Sequence, residues 1–364
     1  MKNKTVLLTG AAGFLGSYLT KVLLENNNTV YAPVRPAGGL DPQARMHASL
    51  GFWGVEKGSA LLGELKVFDG DIAYPGIGIK NKKQKDAVIT DVDIVYHSAA
   101  LARLDLPYEP IAAVNINGTK NLLELCLEIA HSRRLKVNHI STAYVAGKQS
   151  KNVFDETMLD VGQGFNNTYE QTKFEAEKLA LSYSGKGLDI SVFRPSMVMG
   201  DSLEGKTNNF KLFYEPMHFF YKKIFDSFPA DPHCTQNLIN IDTVGRALFE
   251  LGDVEGGATY HLTSPSGIMI GPFMRSVSEY FGFGMPVFVP IGKFDFASWT
   301  PAQKRLGGIF APYFNSDISF SSSRTQAALK KQGGRAFPEI DGGNLNRIFE
   351  YCDKKGYIKK DKAG

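Results

Sequence analysis

Thr5-Val6-Leu7-Leu8-Thr9-Gly10-Ala11-Ala12-Gly13-Phe14-Leu15-Gly16 joins a short apolar run to three spaced glycines, and Leu15, Leu19, Val22 and Leu23 then recur at helical spacing. The order is therefore strand, glycine turn, helix. Glycine permits the tight turn and presents no side chain, so a pyrophosphate can approach bare backbone N–H groups at the positive end of the helix. Such a triplet also occurs in ordinary turns; its place between a strand and a helix, within the first 25 residues, favours a nucleotide seat. Gly10, Gly13, Phe14, Leu15 and Gly16 are its expected contacts.

Outward from that turn the chain alternates strand and helix signals. Thr29–Val34 reads as a second strand, and the residue just past it meets the adenosine ribose in a dinucleotide fold. No Asp or Glu lies between Glu25 and Asp41, but Arg35 does. A guanidinium there suits a 2'-phosphate, which favours NADP(H) over NAD(H); the plainer reading is a surface arginine. Arg45 is either a second phosphate contact or a helix-face charge. Residues 36–63, with a short helix expected over Pro42–Leu50, are long for a crossover and could cover the adenosine end.

Leu65–Phe68 forms the next expected strand. It leads into Asp71 and Ile72, where a carboxylate could reach the adenine amino group. Asp93–His97 runs into Ser98, Ala99 and Ala100, small enough to let a flat cofactor lie close or simply to pack. His97 itself reads as a hydrogen-bonded core residue. Pro110 begins one long helix to about Ala130, with Asn115 and Asn117 in its first third. Val137–Ile140 then delivers Ser141 and Thr142 to the C-terminal edge of the sheet, where ligands bind in open α/β folds.

Tyr169-Glu170-Gln171-Thr172-Lys173 lies in a segment of good helix formers, Tyr169 to Leu181, and a spacing of four puts phenol and ammonium on one face. A phenol near pKa ~10 is a poor acid–base group at neutral pH, and an adjacent cation lowers that value. The same spacing also describes a surface pair; its position after five strand–helix units favours the catalytic reading. Leu188–Phe193, a sixth strand, leads to Arg194, Pro195 and Ser196, where the chain leaves the sheet beside the expected nicotinamide position.

Residues 208–228 are rich in aromatics that either line an apolar pocket or pack as core. Asn237–Leu251 and Ala258–Thr263 read as a returning strand, helix and strand, and the remainder, with Pro286, Pro290, Pro301, Pro312 and a helix near Asn344–Cys352, has the irregular look of a substrate lobe. The expected fold class is α/β, a Rossmann-type doubly wound parallel sheet with a smaller C-terminal substrate lobe. Residues 1–200, completed by about 237–265, would form the NADP-binding domain, and 201–236 with 266–364 the lobe.

Composition excludes several classes. Hydrophobic residues are 43% and charged residues 21%, as in a soluble globular protein, and the 364 residues suffice for a large core. The net charge of +4 is spread along the chain; the lysines between Lys80 and Lys85 and those at the C-terminus read as solvated faces or a frayed tail, so no nucleic-acid partner is expected. Cys126, Cys234 and Cys352 have neither disulfide nor metal-ligand spacing, which implies no bound metal and a reducing compartment. Glycines interrupt the N-terminal apolar run, so it does not read as a signal peptide. No run approaches the ~20 apolar residues of a membrane span, and a cytoplasmic enzyme is expected.

Gly10-x-x-Gly13-x-x-Gly16, Asp71, Thr142, Tyr169-x-x-x-Lys173 and Arg194-Pro195 together resemble the extended short-chain dehydrogenase/reductases over residues 1–265. Four stretches, Gly70–Ile79, His97–Ala100, Asn115–Thr119 and Ser141–Gly147, are more similar to the fatty acyl-CoA reductase and thioester reductase branch, whereas residues 266–364 match nothing in that pattern. The resemblance implies that Tyr169 donates a proton to the substrate oxygen and that Thr142 hydrogen-bonds the same atom. Lys173 would hold the nicotinamide ribose and lower the tyrosine pKa, and Asn115 would support a proton relay.

The implied reaction is NADPH-dependent reduction of an acyl thioester, either fatty acyl-CoA or a carrier-protein-bound acyl chain, to aldehyde or onward to alcohol, with a homodimer left open as the assembly. The same residues would also serve a ketone or secondary alcohol of the steroid or dihydroflavonol kind, or a nucleotide sugar. A dinucleotide-binding protein without turnover would have no need of the Thr142, Tyr169 and Lys173 set.

Overall fold

The computed structural model describes residues 1–148 and 153–360. Seven parallel strands form the central sheet: β1 Thr5–Thr9, β2 Thr29–Val34, β3 Leu65–Asp69, β4 Ile94–His97, β5 Lys136–Ile140, β6 Asp189–Pro195 and β7 Thr259–Leu262. Their order is β7-β6-β5-β4-β1-β2-β3. The crossovers reverse between β1 and β4, whose ends lie side by side with Thr9 opposite His97. In an open α/β sheet that switch point is where a crevice opens, and it is where the glycine turn emerges.

Helices cover both faces because the central strands are apolar on both sides. On one face α1 (Phe14–Glu25) and the helix Ile241–Leu251 bury Leu19, Leu23, Val244, Leu248 and Leu251 against Val6, Leu8 and Val30. On the other face Leu122, Leu125 and Ile129 pack with Val95, Val137 and Ala180. Helix α2 (Pro42–Phe52), within the expected insertion, lies on α1 through the Trp53 indole N–H, which donates to Ser17 Oγ at 2.9 Å.

The long helix expected from Pro110 is two helices, α3 (Tyr108–Asn115) and α4 (Asn117–Ala130), broken at Ile116. The Thr119 hydroxyl donates to the Asn115 carbonyl at 2.6 Å, four residues back. Bonds of this kind bend helices.

A second apolar cluster, made by residues 199–238, 270–314 and 345–358, includes Tyr214, Met217, Phe220, Phe228, Phe281, Trp299 and Phe349. The helix expected near Asn344–Cys352 is present as Gly342–Lys354, and the stretch is otherwise more regular than expected from the sequence, with helices Ile270–Phe281 and Pro301–Phe310. Part of the expected lobe returns to the sheet: Leu329 of helix Ser323–Lys331 and Phe337 pack in the first cluster. Among the described residues no helix is long and apolar enough to cross a membrane, and no cluster of metal-ligating side chains occurs. The three cysteines are buried thiols. Of the C-terminal lysines, Lys362 lies outside the described residues.

Candidate active site

Gly10 follows β1 at φ +75, and a Cβ there would sit 2.7 Å from Ala99 N; at Gly16 it would sit 2.1 Å from the Gly10 carbonyl oxygen. Any side chain at either position would collide with backbone. The Gly13 N-cap of α1 supplies no side-chain hydrogen bond, and the first turn carries no acid. Its N–H groups and positive helix end therefore face the crevice bare, a seat for an anion.

Helix α5 (Thr168–Ser182) brings the catalytic candidates to the same crevice. Asn167 caps it by accepting from Glu170 N at 3.0 Å, and the four-residue period turns Tyr169 and Lys173 together toward a cavity of about 360 Å³. Lys173 is buried and its Nζ donates to the Ile140 carbonyl at 2.7 Å. Thr142, at the end of β5, donates through Oγ1 to the Pro195 carbonyl at 3.4 Å and accepts from Tyr144 N at 3.3 Å.

The expected lowering of the tyrosine pKa is reversed. Burial pushes the Tyr169 phenol up to about 12, and the neighbouring Glu170 charge adds to the rise. Burial also pushes the Lys173 ammonium down to about 8, against the attraction of Glu177. Desolvation of each charged form outweighs the four-residue spacing. Tyr169 is thus a protonated donor throughout the neutral range, and Lys173 is the group whose proton exchanges near it. His97, a core residue as expected, bonds Thr9 and Thr119 at 2.8 and 2.9 Å and is held neutral by burial beside Lys173.

The cavity runs from Gly10, Gly13, Phe14, Leu15 and Gly16 past Ser98, Ala100, Thr142, Tyr169, Lys173, Pro195 and Ser196. Beyond Tyr169 its wall turns apolar, with Phe213, Ile270, Phe273, Met274, Phe310 and Phe314. Phe213 lines the cavity while Tyr214, Phe220 and Phe228 pack beneath it, so the aromatic segment serves both as wall and as core. The hydroxyls of Ser141 and Ser196 are buried without a hydrogen-bond partner among the described residues. Together with the bare glycine turn, these two hydroxyls fit a polar nicotinamide group better than an apolar ligand.

Other expected contacts lie away from this cavity. Ala99 packs behind Gly10, and Ile72 is buried against Gly118. Arg35, Arg45 and Asp71 gather past the ends of β2 and β3: the Arg35 guanidinium lies 3.7 Å from the Asp71 carboxylate, and Arg45 donates to the Arg35 carbonyl. Burial, and then Arg35, push the Arg45 guanidinium pKa down. Asn115 does not reach Tyr169 or Lys173. Its Oδ1 accepts from Leu101 N at 2.7 Å and its Nδ2 donates to Thr172 Oγ1 at 3.1 Å, so it ties a loop to the buried side of α5 next to Lys173.

Arg194, legible as part of the Arg194-Pro195 motif, has a partner the sequence did not mark: Glu177 and Arg194, both buried, form an ion pair at 2.6 Å that fastens α5 to β6, and Arg194 Nη1 lies 3.1 Å from His261 Nε2. Gln236 and Tyr313 line the cavity from the lobe, with no local signal in the sequence. Glu170, inside the Tyr169–Lys173 motif, was legible only as a spacer.

The family model described as male sterility protein, an NAD-binding family, matches residues 8–248. The fatty acyl-CoA reductase wat of Drosophila melanogaster is 28% identical over 243 residues, 59% of this chain and 47% of that protein. A linear gramicidin synthase subunit of Brevibacillus parabrevis is 24% identical over 375 residues, 98% of this chain and 7% of that protein. The chain thus spans less than half the length of these two curated relatives. Among solved structures, the terminal R domain from the myxalamid PKS-NRPS biosynthetic pathway superposes with a TM-score of 0.83 at 25% identity, covering 100% of this chain and 93% of that one.

Proposed function

We propose, because the chain belongs to the male sterility protein family, that it is an NADP(H)-dependent reductase of an acyl thioester, fatty acyl-CoA or carrier-bound, yielding an aldehyde. Family membership agrees with the resemblance to the extended short-chain dehydrogenase/reductases and their acyl-CoA reductase branch. One observation carries the reading: Thr142, Tyr169 and Lys173 share a cavity with the glycine turn, and the cavity continues into an apolar chamber. Polar donors at one end and aromatic walls at the other suit a carbonyl attached to an apolar chain.

Bound dinucleotide supplies the hydride. The chain's own groups do the rest. Gly10, Gly13 and Gly16 admit the pyrophosphate to the start of α1, Arg35 and Arg45 favour a 2'-phosphate, and Ser141 and Ser196 offer hydroxyls to the nicotinamide end. Tyr169, held protonated, donates to the thioester oxygen, and Thr142 adds a second hydrogen bond as negative charge develops there. Lys173 holds the cofactor ribose and, with its proton exchangeable near neutral pH, returns a proton toward Tyr169 between turnovers. The C–S bond then breaks as the C=O bond reforms and the oxygen's proton passes to the leaving sulfur, which departs as the thiol without a covalent enzyme intermediate.

The test is loss of NADPH absorbance against a panel of acyl-CoA thioesters, aldehydes, ketones and nucleotide sugars, with Tyr169→Phe as control. Turnover of a thioester with release of free thiol, falling by ~10²–10⁴ in the variant, supports the reading. Turnover confined to ketones or secondary alcohols refutes the thioester assignment, and an aldehyde consumed in the same assay marks onward reduction to alcohol.

A further inference from the structure

Glu170 follows Tyr169 in the chain, and none of its surface reaches solvent. Its carboxylate accepts from the Tyr313 hydroxyl at 2.6 Å, from Asn166 N at 2.8 Å and from Asn166 Nδ2 at 3.3 Å. Tyr313, which comes from the lobe, also accepts from Asn167 Nδ2 at 2.7 Å. The network continues into the cavity wall: Gln236 Nε2 donates to the Tyr313 carbonyl, and the Tyr144 hydroxyl donates to Gln236 Oε1 at 3.3 Å. The rings of Tyr144 and Tyr313 meet edge to face at 5.6 Å. Tyr144, Gln236 and Tyr313 all line the cavity, so the network joins three chain segments of its wall to the helix that presents the proton donor.

A buried acid is costly unless its charge or its acceptors are used. Four of the groups facing Glu170 are neutral: Asn166, Asn167, Tyr313 and Tyr144. Lys148, exposed on the loop after β5, is the cation that favours the ionised carboxyl. Burial raises the Glu170 pKa and the Tyr313 and Asn166 hydrogen bonds oppose that rise. The acid is therefore held by neutral donors, in direct chain connection to Tyr169.

We propose that Glu170 is a positioning residue for the reduction, fixing the substrate-facing wall of Tyr313, Gln236 and Tyr144 to the helix that carries Tyr169 and Lys173. This rests on the reading of the site given above. It has two consequences. Loss of the Glu170–Tyr313 bond loosens the wall against which the acyl group is held, so substrate affinity falls. Loss of the charge removes an obstacle to ionising the neighbouring phenol, so Tyr169 gives up its proton at lower pH.

The experiment compares Glu170→Gln and Tyr313→Phe with the parent protein, each first checked for NADPH binding by fluorescence and for thermal stability. In both variants KM for the reduced substrate is expected to rise about tenfold, the loss of one hydrogen bond to a charged group. The Tyr169 phenol, read as the tyrosinate absorbance that disappears with Tyr169→Phe, ionises at lower pH in Glu170→Gln only, because Tyr313→Phe leaves the charge in place. A purely structural Glu170 lowers the melting temperature and moves neither quantity, and that result overturns the proposal. If the parent reduces a ketone and no thioester, the reading of the substrate fails and the same comparison on the ketone still decides the role of Glu170. If nothing is turned over, the tyrosinate absorbance titration of Glu170→Gln against Glu170→Gln/Tyr169→Phe decides it. A tyrosinate lost with Tyr169 and formed at lower pH than in the parent supports the proposal, and unchanged titration overturns it.

Discussion

Replacing Lys173 by methionine should abolish turnover and leave the protein about 2 kcal/mol better off, relative to the parent, at pH 7 than at pH 9.5. The ammonium is buried, and that burial holds its pKa at about 8 where an unfolded chain has 10.5. At ~1.4 kcal/mol for each tenfold in proton affinity this is about 3 kcal/mol of folding free energy. Below pH 8 both folded and unfolded chains keep the proton, and the folded state carries the full cost. Between 8 and 10.5 the folded protein releases its proton first, the unfolded chain binds more protons, and stability rises with pH; about 2 kcal/mol of the cost has gone by pH 9.5. Methionine has no proton to lose. It does leave the Ile140 carbonyl without its 2.7 Å donor, an offset of ~1–3 kcal/mol against the variant at every pH. The observable is therefore the difference in unfolding free energy between variant and parent, from urea denaturation at pH 7 and at pH 9.5. It should shift by about 2 kcal/mol toward the parent at the higher pH. A difference that stays constant within ~0.5 kcal/mol would show that Lys173 is not desolvated as described and would remove it as the group exchanging protons near neutrality.

Gly16→Ala forces a Cβ to within 2.1 Å of the Gly10 carbonyl oxygen, so the turn must open; a loss of ~1–3 kcal/mol in stability and a matching fall in dinucleotide affinity are expected by calorimetry. Arg35→Ala should weaken NADPH binding by roughly 10- to 100-fold and leave NADH unchanged in a fluorescence titration, since one charge-assisted phosphate contact is lost; equal effects on both cofactors would place Arg35 outside the 2'-phosphate site. Glu177→Gln leaves the fully buried Arg194 without its counter-charge and should cost ~3–5 kcal/mol, seen as a lower denaturation midpoint; a change within ~0.5 kcal/mol would mean that the pair does not hold α5 to β6.

The sheet was legible because each of its strands is a short apolar run followed by a helix or a turn, and local pattern suffices for that. The lobe was not, although parts of it carried local signals. Thr300-Pro301-Ala302-Gln303 is a helix start by its residues alone, and in the structure Thr300 and Gln303 form a capping box at the head of Pro301–Phe310. Pro286, Pro290, Pro301 and Pro312 gave the stretch an irregular look and hid that start. Gly271 and Pro272 likewise sit in the first turn of Ile270–Phe281, where proline is tolerated because the N–H it lacks has no partner there. Tyr313 and Gln236 belong to a different case. Each reaches the cavity from a segment far in sequence from Tyr169, and no local pattern marks a residue whose use depends on that approach.

The motif Tyr169–Lys173 separates what spacing can tell from what only packing can. Four residues in a helix place phenol and ammonium on one face, and the structure puts both on the cavity wall. From that spacing alone the cation should have made the phenol more acidic. Instead burial governs both side chains: desolvation of the charged form is the largest effect on each, Glu170 raises the phenol further, and Glu177 only partly offsets the fall at Lys173. A more acidic tyrosine would suit proton abstraction from an alcohol. A tyrosine held near pKa 12 keeps its proton and is present as a hydrogen-bond donor for an oxygen on which negative charge develops. The residues were readable one by one, and their protonation states came from what surrounds them.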